Sequence, residues 1–309
     1  MLSRTADHLF WMSRYLERAE NLARLLDVTW QYTLVPISDE AQRQQWNAVL
    51  VLNSLEGPFT AKYDEVNGDS VLRFMVRDEG NPSSIYACLR MARENAHAVR
   101  GTITNEMWET INTAWLELRE QNYEQLVVNG PGEFFEWVKA RVSLLRGVTS
   151  GTMLRDEAFD FIGLGALLER ADNTARLLDV KYYALKSSDD GTSDFYAWGA
   201  LLRAVSAFEA YRRTFRSSIQ PERVAELLIL NGNMPRSLAF CLEGLVKTLR
   251  RVANDQSTET LRQAGRLYAT LRYGRIEDFL QEGLHEFLTD FMKHIYALGD
   301  RISRNFLVV

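Results

Sequence analysis

Residues 16–28 read LERAENLARLLDV, and residues 168–180 read LERADNTARLLDV, 152 positions later. Eleven of the thirteen positions are identical, and a twelfth, Glu20 against Asp172, keeps the negative charge. Agreement over so many consecutive positions indicates that the chain contains two copies of one unit, because a fixed-period match of this kind is how repeated architectures show themselves in sequence.

The repeat extends beyond this motif. At the same spacing Trp46 matches Trp198, and further matches follow with a slip of one residue. We therefore predict two copies, at about 1–152 and 153–309. The patterns of the two copies are too entwined for two independent domains, so we expect one helical domain over residues 1–309.

The motif has the pattern of an amphipathic helix. At about 100° per residue, its charged and amide side chains form one stripe, and an alanine-rich apolar face lies opposite. Small residues on that face allow a partner helix to approach closely. In the first copy the stripe comprises Glu17, Glu20, Asn21, Arg24 and Asp27.

Most of the remaining sequence also predicts helices. The run Val71–Val76 fits either a strand or a buried helix, and we favour a helix. Pro82 and Pro235 suit the first turn of a helix, where proline is tolerated. The pattern predicts an all-α fold, a duplicated helical bundle with a pseudo-two-fold internal repeat. Helical spacing covers Asp7–Tyr32, Gln42–Leu55, Ser83–Leu126, Glu133–Arg146, Glu157–Leu185, Phe195–Arg216, Arg223–Leu230, Ser237–Asn254, Glu259–Leu271 and Ile276–Phe306.

Composition excludes several classes of protein. Only 18 glycines and 6 prolines occur in 309 residues, which argues against collagen-like and disordered chains. A net charge of −5 argues against nucleic acid as a partner. We expect no membrane-spanning helix and no secretory signal. Cys88 and Cys241 suit buried thiols in a reducing compartment, so we expect a cytoplasmic protein, of bacterial type.

The polar stripe has two interpretations. It is structural if its charges pair within the fold, as the i,i+4 spacing of Glu20 and Arg24 allows. It is functional if the two copies face each other and hold a small polar ligand between them. In that case Glu17 and Glu169 are the catalytic candidates, as general acid and base. The ligand-binding candidates are Arg18, Asn21, Arg24, Arg170, Asn173 and Arg176.

A metal site is a weaker alternative. Two Glu-x-x-His pairs occur, at 94–97 and 282–285, and with Glu17 and Glu169 they would complete the ligand set of a ferritin-like dinuclear centre. The two pairs do not fall at repeat-related positions, and the sequence contains no phosphate-binding glycine loop. We therefore predict no metal and no cofactor.

The N-terminal stretch resembles a known family. Residues 3–21 read SRTADHLFWMSRYLERAEN and are similar to the signature of the Alpha-E family, an α-helical domain named for a repeated Glu-Arg motif. Here that motif is Glu17-Arg18, and the second copy has Glu169-Arg170. The resemblance covers the whole chain.

The resemblance implies a setting rather than an activity. Members of the family have no known biochemical function, but they occur beside circularly permuted ATP-grasp ligases and transglutaminase-like cysteine proteases. We therefore expect a helical accessory protein that acts with a separate ATP-grasp-type ligase in amide-bond or small-peptide chemistry. The further candidate partners are such a protease and a second copy of this chain. The alternative is an enzyme whose own Glu/Arg/Asn site lies between the repeats.

Overall fold

Every regular element in the described part of the chain is a helix. The structure is a computed structural model that describes residues 1–34, 38–124, 126, 130–186 and 191–307, except for the side chains of 181–196. This part of the chain contains fifteen α-helices and one π-helix, and no strand. The predicted all-α fold class is confirmed.

The contacts within the chain divide it into two units. The N-terminal unit is Trp11–Leu154, and the C-terminal unit combines Met1–Phe10 with Arg155–Val309. Helix α1 (Ser3–Thr33) contributes its first residues to the C-terminal unit and the rest to the N-terminal unit. The second junction lies close to the repeat boundary that the sequence predicts. A single domain over the whole chain stays a prediction.

After α1, the helices of the two units follow one another along the chain. In the N-terminal unit these are α2 (Asp39–Leu52), α3 (Glu56–Thr60), α4 (Gly68–Leu72), the π-helix (Arg73–Arg77), α5 (Ile85–Ala98), α6 (Asn105–Glu120) and α7 (Gly132–Thr152). In the C-terminal unit they are α8 (Glu157–Lys186), α9 (Gly191–Ala204), α10 (Phe208–Phe215), α11 (Pro221–Leu230), α12 (Leu238–Arg251), α13 (Thr258–Tyr273), α14 (Ile276–Glu282) and α15 (Leu284–Phe306).

The two series of helices correspond in order and length. Helices α2 and α9 each have 14 residues and begin 152 residues apart. Helices α5 and α12 each have 14 residues, and α6 and α13 each have 16; both pairs begin 153 residues apart. The duplication in the sequence therefore extends to the helices themselves, whereas a pseudo-two-fold relation between the copies stays a prediction.

The two proline positions show the same local structure in each copy, but not the predicted one. Pro82 and Pro235 lie two residues before the N-cap serines of α5 and α12, outside the first turn. The Ser84 hydroxyl donates to the Asp78 carbonyl at 2.8 Å and accepts from the backbone N–H of Ala87 at 3.1 Å. A serine at this position satisfies an orphan N–H, so it takes the cap and leaves proline in the preceding turn.

Three of the predicted helices are each divided in two. The stretch 83–126 contains α5 and α6, 195–216 breaks near Ser206, and 276–306 breaks at Gly283. Ser206 has φ 53° and Gly283 has φ 107°, both in the left-handed region. Apolar spacing continues across such a break because one residue with altered φ redirects the axis without removing the buried face.

The ambiguous run is helical, as predicted. Residues 71–76 lie in α4 and the π-helix that follows it. A capping box begins this segment: Asn67 Oδ1 accepts from Ser70 N–H at 2.9 Å, and Ser70 Oγ accepts from Asn67 N–H at 3.1 Å. Helix α3 was not predicted. The glycine-, proline- and serine-rich stretches 129–132 and 187–191 predict loops, and of these stretches residues 129 and 187–190 lie outside the described residues.

The apolar face of the motif is buried in both copies, as predicted. Ala19 and Ala23 in α1 have no solvent exposure, and Ala171 and Ala175 in α8 have none either. Cys88 and Cys241 are free and buried. Among the described helices, none combines the length and the apolar character that a bilayer crossing requires.

Candidate functional site

The first copy of the motif places three carboxylates in the interior of the N-terminal unit. Glu17, Glu20 and Asp27 are all buried, and the Glu20 side chain is fully inaccessible. They share the stripe of α1 that the helical spacing predicts. Burying ionised carboxylates is costly unless each is paired, so their partners decide what the stripe does.

Two arginines hold the first two carboxylates. Arg146 on α7 donates to Glu17 Oε2 at 3.3 Å and also pairs with Glu20 Oε2. Arg24, one turn along α1, donates to Glu20 Oε1 through Nε at 3.0 Å and Nη2 at 2.7 Å. Glu20 is thus held by a guanidinium on each side, one from its own helix and one from α7.

The third carboxylate, Asp27, lies two turns after Glu20 on α1 and also has a cationic partner on α7. Lys139 Nζ on α7 donates to Asp27 Oδ2 at 2.7 Å, and Gln31 Nε2 donates to Asp27 Oδ1 at 2.9 Å. Lys139 and Arg146 are seven residues apart, so one face of α7 presents both cations to α1. Three acids thus meet three bases between the two helices, which we call the α1–α7 charge network.

The second copy has a different environment, in the C-terminal unit. Glu169 is buried, but Asp172 and Arg176 are 25% and 39% exposed and pair with each other at 2.7 Å. Asp179 meets His285 Nδ1 at 2.6 Å, at the beginning of α15. The acids of the second copy are therefore closer to solvent than those of the first.

The other polar residues of the motif are divided between backbone contacts and partial exposure. Arg170 donates to the Pro235 carbonyl at 3.3 Å, and Thr174 donates to the Arg236 carbonyl at 2.9 Å. Arg18 lies 5.8 Å from the Tyr15 ring centroid, Asn21 is buried, and Asn173 is partly exposed. Thr174 is the residue that replaces Leu22, and its hydroxyl supplies a polar anchor that leucine lacks.

The helices that face the two motifs explain this difference. The buried positions of α7 and α15 match at a spacing of 153 residues: Val138, Val142, Leu145 and Thr149 correspond to Phe291, Ile295, Leu298 and Ile302.

At that spacing Lys139 corresponds to Met292, and Arg146 corresponds to Gly299. A Cβ atom on Gly299 would lie only 3.0 Å from Leu168 Cδ2. The second motif therefore meets a close-packed glycine where the first meets a guanidinium.

The described residues do not form the dinuclear metal site that the sequence analysis considered as an alternative. Among the described residues, no three His, Cys, Asp or Glu side chains are grouped so that they could hold a metal ion. Glu94 pairs with Arg93 at 2.6 Å, and the His97 ring packs 5.5 Å from the Trp108 ring. His285 is engaged with Asp179, as above.

The sequence interpretation identified the stripe but missed its partners on α7. The available signal was the seven-residue spacing of Lys139 and Arg146, which places two cations on one face. The roles assigned to Glu17 and Glu169, and to the arginines and asparagines beside them, stay predictions. The structure places Glu17 in the N-terminal unit and Glu169 in the C-terminal unit.

Comparison with known proteins gives a family but no activity. The chain is 24% identical to uncharacterised proteins of Mycobacterium bovis and Mycobacterium tuberculosis, over 95% of its own length and 35% of theirs. It therefore spans about a third of the length of the curated relatives it matches. No solved structure matches it. A family model described as a predicted alpha-helical domain with a conserved ER motif matches residues 1–307, so the chain belongs to the Alpha-E family.

Proposed function

We propose that this chain is a helical accessory protein that acts with a separate ATP-grasp-type ligase in amide-bond or small-peptide synthesis or modification. The observation that carries the proposal is the α1–α7 charge network. Glu17 and Glu20 are engaged by arginines of the fold, and an ion-paired, buried carboxylate is better suited to joining helices than to proton transfer with a substrate.

The lengths of the relatives also support an accessory role. In the mycobacterial relatives the matching region is about a third of the protein, so there it works as one part of a longer chain. The family resemblance suggests ATP-grasp ligases and transglutaminase-like proteases as the companions. We expect a region that is part of a longer chain in some proteins to bind a companion protein where the two are separate chains.

The test combines the purified chain with the circularly permuted ATP-grasp ligase of the same organism. We expect a stable complex in size-exclusion chromatography with light scattering. We also expect ADP release by the ligase, measured with amino acids as acceptors, to rise several-fold when the chain is added. The heat-unfolded chain is the control, because it has the same composition without the fold.

Two results would overturn the proposal. One is the absence of both a complex and any change in ADP release. The other is turnover of ATP and amino acids by the isolated chain. That second result would favour the alternative, an enzyme that uses Glu17 and Glu169 in its own site, and Glu17→Gln should then abolish the turnover.

A further inference from the structure

A cleft of about 670 Å³ lies within the C-terminal unit, among helices α13, α14 and α15. One wall is a single face of α13, with Gln263, Arg266, Leu267 and Thr270 at helical spacing. The opposite wall is the face of α15 from Glu286 to Arg301. The volume of this cleft falls within the range of pockets that bind small ligands. We call it the α13–α15 cleft.

The floor of the cleft is aromatic. The rings of Phe279 and Phe287 stack with centroids 4.1 Å apart, and Phe291 follows with its centroid 6.3 Å from that of Phe287. Gly283 ends α14 with φ 107° and turns the chain into α15. A Cβ atom there would lie 2.1 Å from Glu286 Oε2, so glycine leaves the room that the carboxylate occupies.

The rim of the cleft carries opposite charges that do not neutralise each other. Arg266 and Arg301 line it, and so do Glu282 and Glu286. None of these four side chains forms an ion pair or a hydrogen bond with another described residue. The charge of Arg301 acts on Glu259, but Arg262 already donates to both carboxylate oxygens of Glu259 at 2.6 Å.

The charges are separated along the cleft. Glu286 lies in the first turn of α15 and Arg301 near its end, about 22 Å apart at about 1.5 Å per residue. Between them His294 pairs with Asp290 at 3.1 Å. An extended peptide advances about 3.3–3.6 Å per residue, so about six to seven residues span this distance. A negative end, an aromatic floor and a positive end match an ammonium, an apolar side chain and a carboxylate.

We infer that the α13–α15 cleft binds a short peptide with free termini. Its ammonium group meets Glu282 and Glu286, its carboxylate meets Arg266 and Arg301, and an aromatic side chain packs on the phenylalanine floor. This inference rests on the proposed function, because it names the peptide that an accessory protein would hold for the ligase. Charge-assisted hydrogen bonds at both ends provide the specificity.

The test is calorimetric titration of the full chain, without ligase, with the peptide Ala-Ala-Phe-Ala-Ala-Ala, which has the minimum length for this span. We expect saturable binding at one site. N-terminal acetylation and C-terminal amidation should each weaken it about tenfold, because each removes one charge-assisted contact. Arg266→Gln should weaken it to a similar degree. Arg272→Gln is the matched control, since Arg272 is exposed on the same helix and does not line the cleft.

Three results would overturn the inference: no binding at millimolar peptide, equal binding of the blocked peptides, or equal effects of the two arginine changes. Arg266 and Arg272 are both exposed, so the thermal unfolding midpoints of the two variants should match that of the unchanged chain. Matching midpoints would show that weaker peptide binding does not come from unfolding. A ligase complex without peptide binding would refute the inference alone. Peptide binding with neither a ligase complex nor a change in ADP release would refute the proposed function alone.

Discussion

The two copies of the motif share eleven of thirteen residues, yet their charges are stabilised differently. In the N-terminal unit, α7 brings Arg146 and Lys139 to buried acids. In the C-terminal unit, the corresponding helix α15 has Gly299 and Met292 at those positions. There Asp172 pairs with Arg176 of its own helix, and Asp179 pairs with His285. The comparison teaches that a repeated sequence reproduces a helix, whereas the facing helix determines what its polar side chains do.

The largest expected effect follows from breaking the first copy. Arg146→Met keeps the apolar stem but removes the α7 cation from Glu17 and Glu20. Removing one partner of a buried ion pair costs about 3–5 kcal/mol. Arg146 is itself 46% exposed and Arg24 still holds Glu20, so we expect a loss of about 3 kcal/mol, the lower end of that range, in urea unfolding.

The matched control for this change is Arg304→Met on α15. Arg304 forms an exposed i,i+4 pair with Asp300, and we expect a loss of about 0.5 kcal/mol or less. If the two variants lost the same stability, the buried carboxylates would not depend on α7, and the structural interpretation of the network would be wrong.

The second expected effect follows from making the two copies alike. Gly299→Arg introduces at the corresponding position of α15 the cation that α7 supplies. Its Cβ would lie 3.0 Å from Leu168 Cδ2, so we expect overpacking to cost about 1–3 kcal/mol. Gly265→Arg on α13 has open space around it and should be neutral or gain about 0.5–1 kcal/mol from helix propensity. A stabilised Gly299→Arg variant would mean that α15 can adopt the geometry of α7.

A smaller effect separates the i,i+4 pairs of the two copies. A double-mutant cycle on Asp172 and Arg176 should give a coupling of about 0.2–0.5 kcal/mol, because both side chains reach solvent. The same cycle on Glu20 and Arg24 should give a value several times larger, because Glu20 is fully buried. Equal couplings would remove the distinction between the copies.

The smallest effect concerns an ion pair that lies at the surface, Arg262 with Glu259. Arg262 donates two hydrogen bonds to Glu259 and lowers the pKa of that carboxyl to about 2. A depressed folded-state pKa stabilises the fold above the ordinary value of 4.5, and this contribution is lost as the pH falls towards 2. Carbon-detected NMR titration should show the low midpoint, and Arg262→Gln should return it towards 4.5. A midpoint unmoved by that change would show that the pairing does not persist in solution.

Much of the fold was predictable, because it depends on local periodicity. The buried alanine face of α1 and the buried Cys88 and Cys241 follow from spacing and residue type. At 71–76 the spacing fitted a strand as well as a helix, and the structure contains the helix that we favoured. The helix breaks at Ser206 and Gly283 were not predictable in this way. The apolar spacing continues on both sides of the one residue whose positive φ changes the direction of the helix axis.

The candidate site was predictable only in part. Spacing placed Glu17, Glu20 and Arg24 on one stripe of a helix and allowed the i,i+4 pair that the structure contains. It did not predict Arg146, which is 129 residues from Glu17 in the chain and meets it only because α7 packs on α1.

The sequence by itself determined the helical class and the polar stripe, because each depends on residues within a few turns of one another. It also determined the duplication, because two stretches 152 positions apart can be compared directly. Only the tertiary structure decided which charges are buried and what they pair with. A carboxylate buried against Arg146 and one exposed beside Arg176 belong to the same local pattern. They differ because desolvation and pairing depend on the neighbouring helix, which the motif does not specify.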